Sequence, residues 1–82
     1  MPIKRYLFDV VIDAQTSIRT FAVLAHTKKE ATNLMQRIAK LFDYQSFELM
    51  QIQHYPKDKE EHIIEVFAKQ NKKLLELEKE KI

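Results

Sequence analysis

The fold prediction rests first on the stretch IKRYLFDVVID, residues 3–13, which has the pattern of a β-strand. Successive side chains of a β-strand point to opposite sides, so its alternation separates two faces. One face is apolar and consists of Tyr6, Phe8, Val10 and Ile12. The opposite face mixes apolar and charged residues: Arg5, Leu7, Asp9, Val11 and Asp13. We expect this most apolar strand to lie in the middle of a sheet.

The next apolar segment, IRTFAVLAH at residues 18–26, alternates in the same way. Its residues fall on two faces, with Phe21, Val23 and Ala25 on one and Ile18, Ala22 and Leu24 on the other. Between the two strands, AQTS at residues 14–17 supplies a polar loop of about four or five residues, which needs no glycine. The sequence therefore predicts a β-hairpin.

A helix is predicted to follow, because TKKE at residues 27–30 has the spacing of a capping box. Thr27 would cap the helix, and the side chain of Glu30 would reach back to the backbone at the cap. The apolar residues after it recur at helical spacing: Ala31, Leu34, Met35, Ile38, Leu41 and Phe42. We expect this helix to end near Asp43 or Tyr44.

Residues 46–55, SFELMQIQHY, predict a third strand that Pro56 ends. Phe47 and Leu49 face one way and Met50 and Ile52 the other, so either a β-bulge or an edge position with both faces partly covered is expected. DKEE at residues 58–61 is a second capping signature. It predicts a long helix over residues 59–81, which contain no helix breaker.

Together these elements predict an α+β fold, β-β-α-β-α, with a three-stranded antiparallel sheet in the order 2-1-3. Helix one covers one face, and the C-terminal helix partly covers the other. Residues 1–57 form the core, and residues 58–82 belong to the same domain. A second copy of the chain is the alternative covering for that other face. At about 1.5 Å per residue, the last helix is longer than the expected diameter of the rest of the domain. We therefore expect Leu74, Leu75 and Leu77 to extend beyond the domain and overhang it.

The composition limits the chemistry that is available to this chain. It has 82 residues, 45% hydrophobic and 32% charged, which is typical of one small globular domain. The absence of glycine argues against phosphate-cradling loops, and the absence of cysteine removes thiolate chemistry. The net charge of +2 provides no strong field. We expect a cytoplasmic chain, complete from Met1, with no signal peptide and no membrane span.

No catalytic or metal site is predicted. His26, His54 and His62 lack metal-ligand spacing, and Asp9 and Asp13 are most simply solvated strand residues. We therefore expect no enzyme activity, no cofactor and no small-molecule substrate.

The remaining function class is binding, most simply by a homodimer that binds another protein. The predicted contact residues are Leu7, Val11, Ile18 and Leu24 on the opposite sheet face and Leu74, Leu75, Leu77 and Ile82 at the helix end. Small cofactor-free chains of this kind are often regulatory accessory proteins, including those of phages and mobile elements. The alternative is weak nucleic-acid binding through basic residues: Arg5, Arg19, Lys28 and Lys29, with Tyr6, Tyr44 and Tyr55 as possible stacking rings.

Overall fold

A computed structural model describes residues 2–13 and 18–81 of the chain. Within these ranges the elements follow the predicted order β-β-α-β-α. Their bounds are β1 Lys4–Val11, β2 Ile18–Ala25, α1 Lys28–Phe42, β3 Ser46–His54, a 3-10 turn Lys57–Lys59 and α2 Glu60–Glu80. The predicted hairpin loop at residues 14–17 lies outside the described residues.

The strands form an antiparallel sheet in the order β2-β1-β3, which confirms the predicted fold class and strand order. On the central strand, Tyr6 lies opposite Val23 of β2 and Ile52 of β3. Directly opposed residues share a face of the sheet, so these three side chains lie on the same side. The core on this side, which α1 covers, consists of Tyr6, Phe8, Val10, Val23, Ala25, Ala31, Leu34, Met35, Ile38 and Leu74.

Helix α1 begins and ends with specific backbone caps. Thr27 Oγ1 accepts the Glu30 N–H at 3.1 Å, which confirms the predicted N-cap. The Glu30 carboxylate accepts the N–H of His26 at 3.0 Å, one residue before the cap. At the other end Asp43 adopts a left-handed conformation, with φ 58°, and donates its N–H to the Ala39 carbonyl. In a chain without glycine, a short polar side chain such as that of aspartate tolerates this conformation best.

Strand β3 contains a β-bulge. Opposite the step from Leu7 to Phe8 in β1, β3 has one extra residue, Met50. This confirms one of the two explanations for the irregular alternation of the strand. Because the extra residue resets the alternation, Ile52 lies on the core face beside Tyr6. The prediction that Ile52 joins the opposite face is therefore wrong.

Helix α2 begins without the predicted side-chain cap. Asp58 lies inside the 3-10 turn, and the N-cap residue is Lys59, which makes no side-chain capping hydrogen bond. Glu60 and Glu61 occupy the first turn, where carboxylates interact favourably with the positive end of the helix dipole. The acidic residues of DKEE therefore lie within the helix start instead of capping it.

Helix α2 lies beside the free edge of β2 and against α1. The Gln70 side chain bonds both backbone groups of Leu24, accepting its N–H at 2.8 Å and donating to its carbonyl at 2.9 Å. One turn later, Leu74 is 4% exposed and belongs to the core beneath α1. Near the helix start, Ile63 and Val66 line a pocket with Leu24, so this part of α2 lies at the Leu24 end of the far side of the sheet.

The core includes one polar group without a partner. Tyr6 is fully buried, and its hydroxyl finds no hydrogen-bond partner among the described residues. Leaving such a group unpaired costs about 1–3 kcal/mol, so the Tyr6 hydroxyl does not stabilise the fold.

Candidate interaction surface

The sheet face away from α1, which we call the outer face, follows directly from the strand register. Its central row on β1 is Arg5, Leu7, Asp9 and Val11. The flanking row on β2 is Leu24, Ala22, Thr20 and Ile18. The flanking row on β3 is Gln53, Gln51, Glu48 and Ser46. Three of the four predicted contact residues on this face remain accessible.

Apolar side chains reach the surface at the centre and at one end of the outer face. Ile18 is 61% exposed, and its cross-strand neighbour Val11 is half-buried. Leu7, at the centre of the face, is also half-buried and lies beside the exposed Ala22. Leu24 is only 7% exposed, so the prediction that it contacts a partner is wrong. Its side chain is already covered by α2, which sits at that end of β2.

The charges of the outer face are separated along the strands. Arg5 is exposed at one end, whereas Asp9 and Glu48 lie directly opposite one another toward the other end. Arg5 and Asp9 are four residues apart on β1, which is about 13 Å. Thr20 Oγ1 donates a hydrogen bond to Asp9 Oδ1 at 3.3 Å, but the described ion pairs include none that offsets the two carboxylates. Like charges placed directly across a sheet are destabilising.

The C-terminal helix does not overhang at the position where this was expected. Leu74 is buried in the core, so its prediction as a partner contact is wrong, and Leu77 is half-buried near the end of α1. Leu75 is 52% exposed and remains available, whereas Ile82 lies outside the described residues. The prediction failed because it assumed a roughly spherical body. The molecule measures 41 × 29 × 18 Å, and its long axis accommodates the helix.

The basic residues of the nucleic-acid alternative do not form one patch. Arg19 lies opposite Val10 and therefore on the core side of the sheet, whereas Arg5 is on the outer face. These two arginines therefore lie on different faces of the sheet and cannot form one binding patch. Lys28 and Lys29 are exposed at the start of α1, which follows the end of β2 remote from Arg19.

The tyrosines of that alternative are also unsuited to base stacking. Tyr6 is fully buried, so its ring cannot stack on a base. Tyr44 is half-buried and already stacks on Phe42, with ring centroids 5.8 Å apart. Tyr55 is half-buried and lines a pocket beside the start of α2.

His26 joins three elements of the fold. Its Nδ1 lies 3.1 Å from the Glu30 carboxylate of α1, and its ring contacts the edge of Phe67 of α2 at a centroid distance of 5.0 Å. It also contributes to a pocket of about 420 Å³ between the N-terminal residues and the start of α2. The described residues contain no group of three or more potential metal ligands. These contacts give His26 a structural role in fastening α2 to the sheet.

An ion pair fastens the other end of α2 to α1. Arg37 Nε donates to Glu78 Oε2 at 3.1 Å, and Arg37 Nη2 donates to the second carboxylate oxygen. This two-point hydrogen bond lowers the pKa of Glu78 and raises the pKa of Arg37. Both side chains are partly exposed, at 40% for Arg37 and 33% for Glu78.

The Glu78→Gln variant should therefore lose stability at pH 7 but not in acid. The folded-state pKa of Glu78 is lowered, so the pair stabilises the fold above the ordinary glutamate pKa of about 4.3. That contribution disappears as the pH falls through the lowered pKa. Urea unfolding at pH 7 and pH 3 measures the effect, with Glu76→Gln on an exposed position as control. An equal difference from the wild type at both pH values would contradict the prediction.

The comparisons with known proteins leave the function to be inferred from the chain itself. No protein-family model matches the sequence, and no curated protein or solved structure is significantly similar to it. None of the helices in the described ranges is long and apolar enough to cross a membrane.

Proposed function

We propose that this chain is a small, non-catalytic protein-interaction module of the regulatory accessory type, and that it works as a homodimer. The observation that carries the proposal is the outer face of the sheet. It exposes Ile18 and leaves Leu7 and Val11 half-buried. A solvated sheet face needs no such apolar row, and exposed apolar patches often mark interaction surfaces.

The size of the outer face supports a dimer that forms and dissociates readily. A strand of eight residues at about 3.3 Å per residue, in a sheet about 14 Å wide, presents a flat area of about 370 Å². Stable interfaces bury about 800 Å² on each partner, so the contact is below that standard size. We therefore expect a concentration-dependent dimer. Apolar residues exposed elsewhere, such as Ile64 and Leu75, stay accessible for a second protein.

Light scattering over a range of protein concentrations tests the proposal. The mass should rise from 9.8 kDa toward twice that value as the concentration increases. Ile18→Glu should hold the chain at the monomer mass while its circular dichroism stays unchanged, because this side chain is 61% exposed. Leu75→Glu, on a helix position that is 52% exposed, is the matched control and should dimerise as the wild type does.

The opposite results are equally informative. A wild-type chain that stays monomeric up to millimolar concentration would overturn the proposed homodimer. If Leu75→Glu dissociates the dimer and Ile18→Glu does not, α2 is the contact surface and the assignment to the outer face is wrong.

A further inference from the structure

The charges of the outer face restrict how two copies can pack, and this inference rests on the proposed homodimer. On the central strand, Arg5 and Asp9 lie at equal distances on either side of Leu7. A two-fold axis through Leu7 that runs across the strands therefore exchanges the two charged positions. Arg5 of each copy would then lie over Asp9 of the partner subunit, with the two Leu7 side chains between them.

The other face-to-face arrangement has the opposite electrostatics. If the two-fold axis runs along the strands, Arg5 lies over Arg5 of the partner subunit, and Asp9 lies over the partner's Asp9. Homodimers usually have two-fold symmetry, so these are the two arrangements that stack the central strands directly. Juxtaposed like charges cost several kcal/mol at an interface, which favours the first arrangement.

The pair of carboxylates on the outer face supports the same arrangement. Asp9 and Glu48 lie directly opposite one another, which is unfavourable in an isolated copy. Packed sheets lie about 10 Å apart, and the long side chain of Arg5 spans most of that gap. The guanidinium of Arg5 of the partner subunit would lie between the carboxylates of Asp9 and Glu48 and relieve their repulsion.

We propose that two copies of this chain pack outer face to outer face with their central strands antiparallel, so that Arg5 of each copy pairs with Asp9 and Glu48 of the other. The partner is thus a second copy of this chain. The apolar residues supply the contact area, and the charges set its orientation. This adds to the proposed function a defined symmetry and three residues that determine its specificity, Arg5, Asp9 and Glu48.

Charge reversal tests this arrangement directly. Arg5→Asp and Asp9→Arg should each weaken self-association by at least about tenfold, because each homodimer then opposes like charges. Mixing the two variants should restore a 1:1 heterodimer, in which every opposed pair is again complementary. The double variant R5D/D9R should form a homodimer again. Sedimentation equilibrium measures all four samples, and thermal unfolding verifies that each variant is folded.

Arg19→Asp is the matched control, since Arg19 is exposed but lies on the core side of the sheet. It should dimerise as the wild type does. If the wild type dimerises and the single reversals have no effect, the antiparallel arrangement is wrong and the homodimer stands. If Arg5→Gln, which removes the charge, dimerises more tightly than the wild type, Arg5 opposes a like charge, so the strands are parallel and the inference is overturned. A monomeric wild type would instead refute the proposed function itself.

Discussion

Replacing Leu74 by alanine should destabilise the chain by about 2–5 kcal/mol, the cost of removing a buried leucine side chain from a packed core. Leu74 is 4% exposed and is the member of the core that α2 contributes. The total stability of an 82-residue chain is about 4–12 kcal/mol. The variant should therefore lose a large share of the stability of the fold. Urea unfolding followed by circular dichroism measures the change.

The neighbouring residue provides the control for this prediction. Leu75 is 52% exposed, and Leu75→Ala should change the stability by no more than about 0.5 kcal/mol. The two substitutions are chemically identical and one residue apart, so intrinsic helix propensity affects them equally. A Leu74→Ala variant as stable as Leu75→Ala would show that α2 is not docked on the core in solution.

Phe8→Ala should have a comparably large effect, a loss of about 3–5 kcal/mol. Phe8 is 2% exposed on the central strand, and its ring lies 5.7 Å from the ring of Phe47 on β3. The substitution removes a large apolar side chain from the contact between the sheet and α1. Thermal and urea unfolding should both show the loss, with a lower melting temperature and a lower urea midpoint.

Phe42→Ala is the control, because Phe42 is 47% exposed at the end of α1. It loses its stacking contact with Tyr44, which is worth about 0.5–1.5 kcal/mol. If Phe42→Ala were as destabilising as Phe8→Ala, the core side of the sheet would have been assigned wrongly.

Most of the sheet was predictable from the sequence because local alternation determines which residues share a face. The pattern of β1 specified both faces of the central strand, and Thr27 specified the start of α1. In β3 the alternation failed at Met50, which left two explanations open. The register with β1 shows the bulge, although β3 is also an edge strand, and that register is a long-range property that no local pattern contains.

The position of α2 was less predictable. Its apolar residues indicated that one side is buried but did not indicate against what. Gln70 interrupts the apolar spacing of α2, yet its side-chain amide bonds the backbone of Leu24. A polar residue inside an apolar stripe can thus mark contact with a strand edge. The outer face was predictable in its residues. Alternation along β2 also places Arg19 on the face of Phe21 and Val23, away from Arg5, and the strand register agrees with this.

The Gln70 contact also has a consequence for protein synthesis. Its amide group supplies the two hydrogen bonds that a neighbouring strand would otherwise make with Leu24, and it follows Leu24 by 46 residues. At about 5–20 residues per second, a ribosome needs roughly 2–9 s to add those residues. During that interval the free edge of β2 can form backbone hydrogen bonds with any extended chain nearby. The nascent protein is therefore exposed to mispairing at this edge until its last helix emerges.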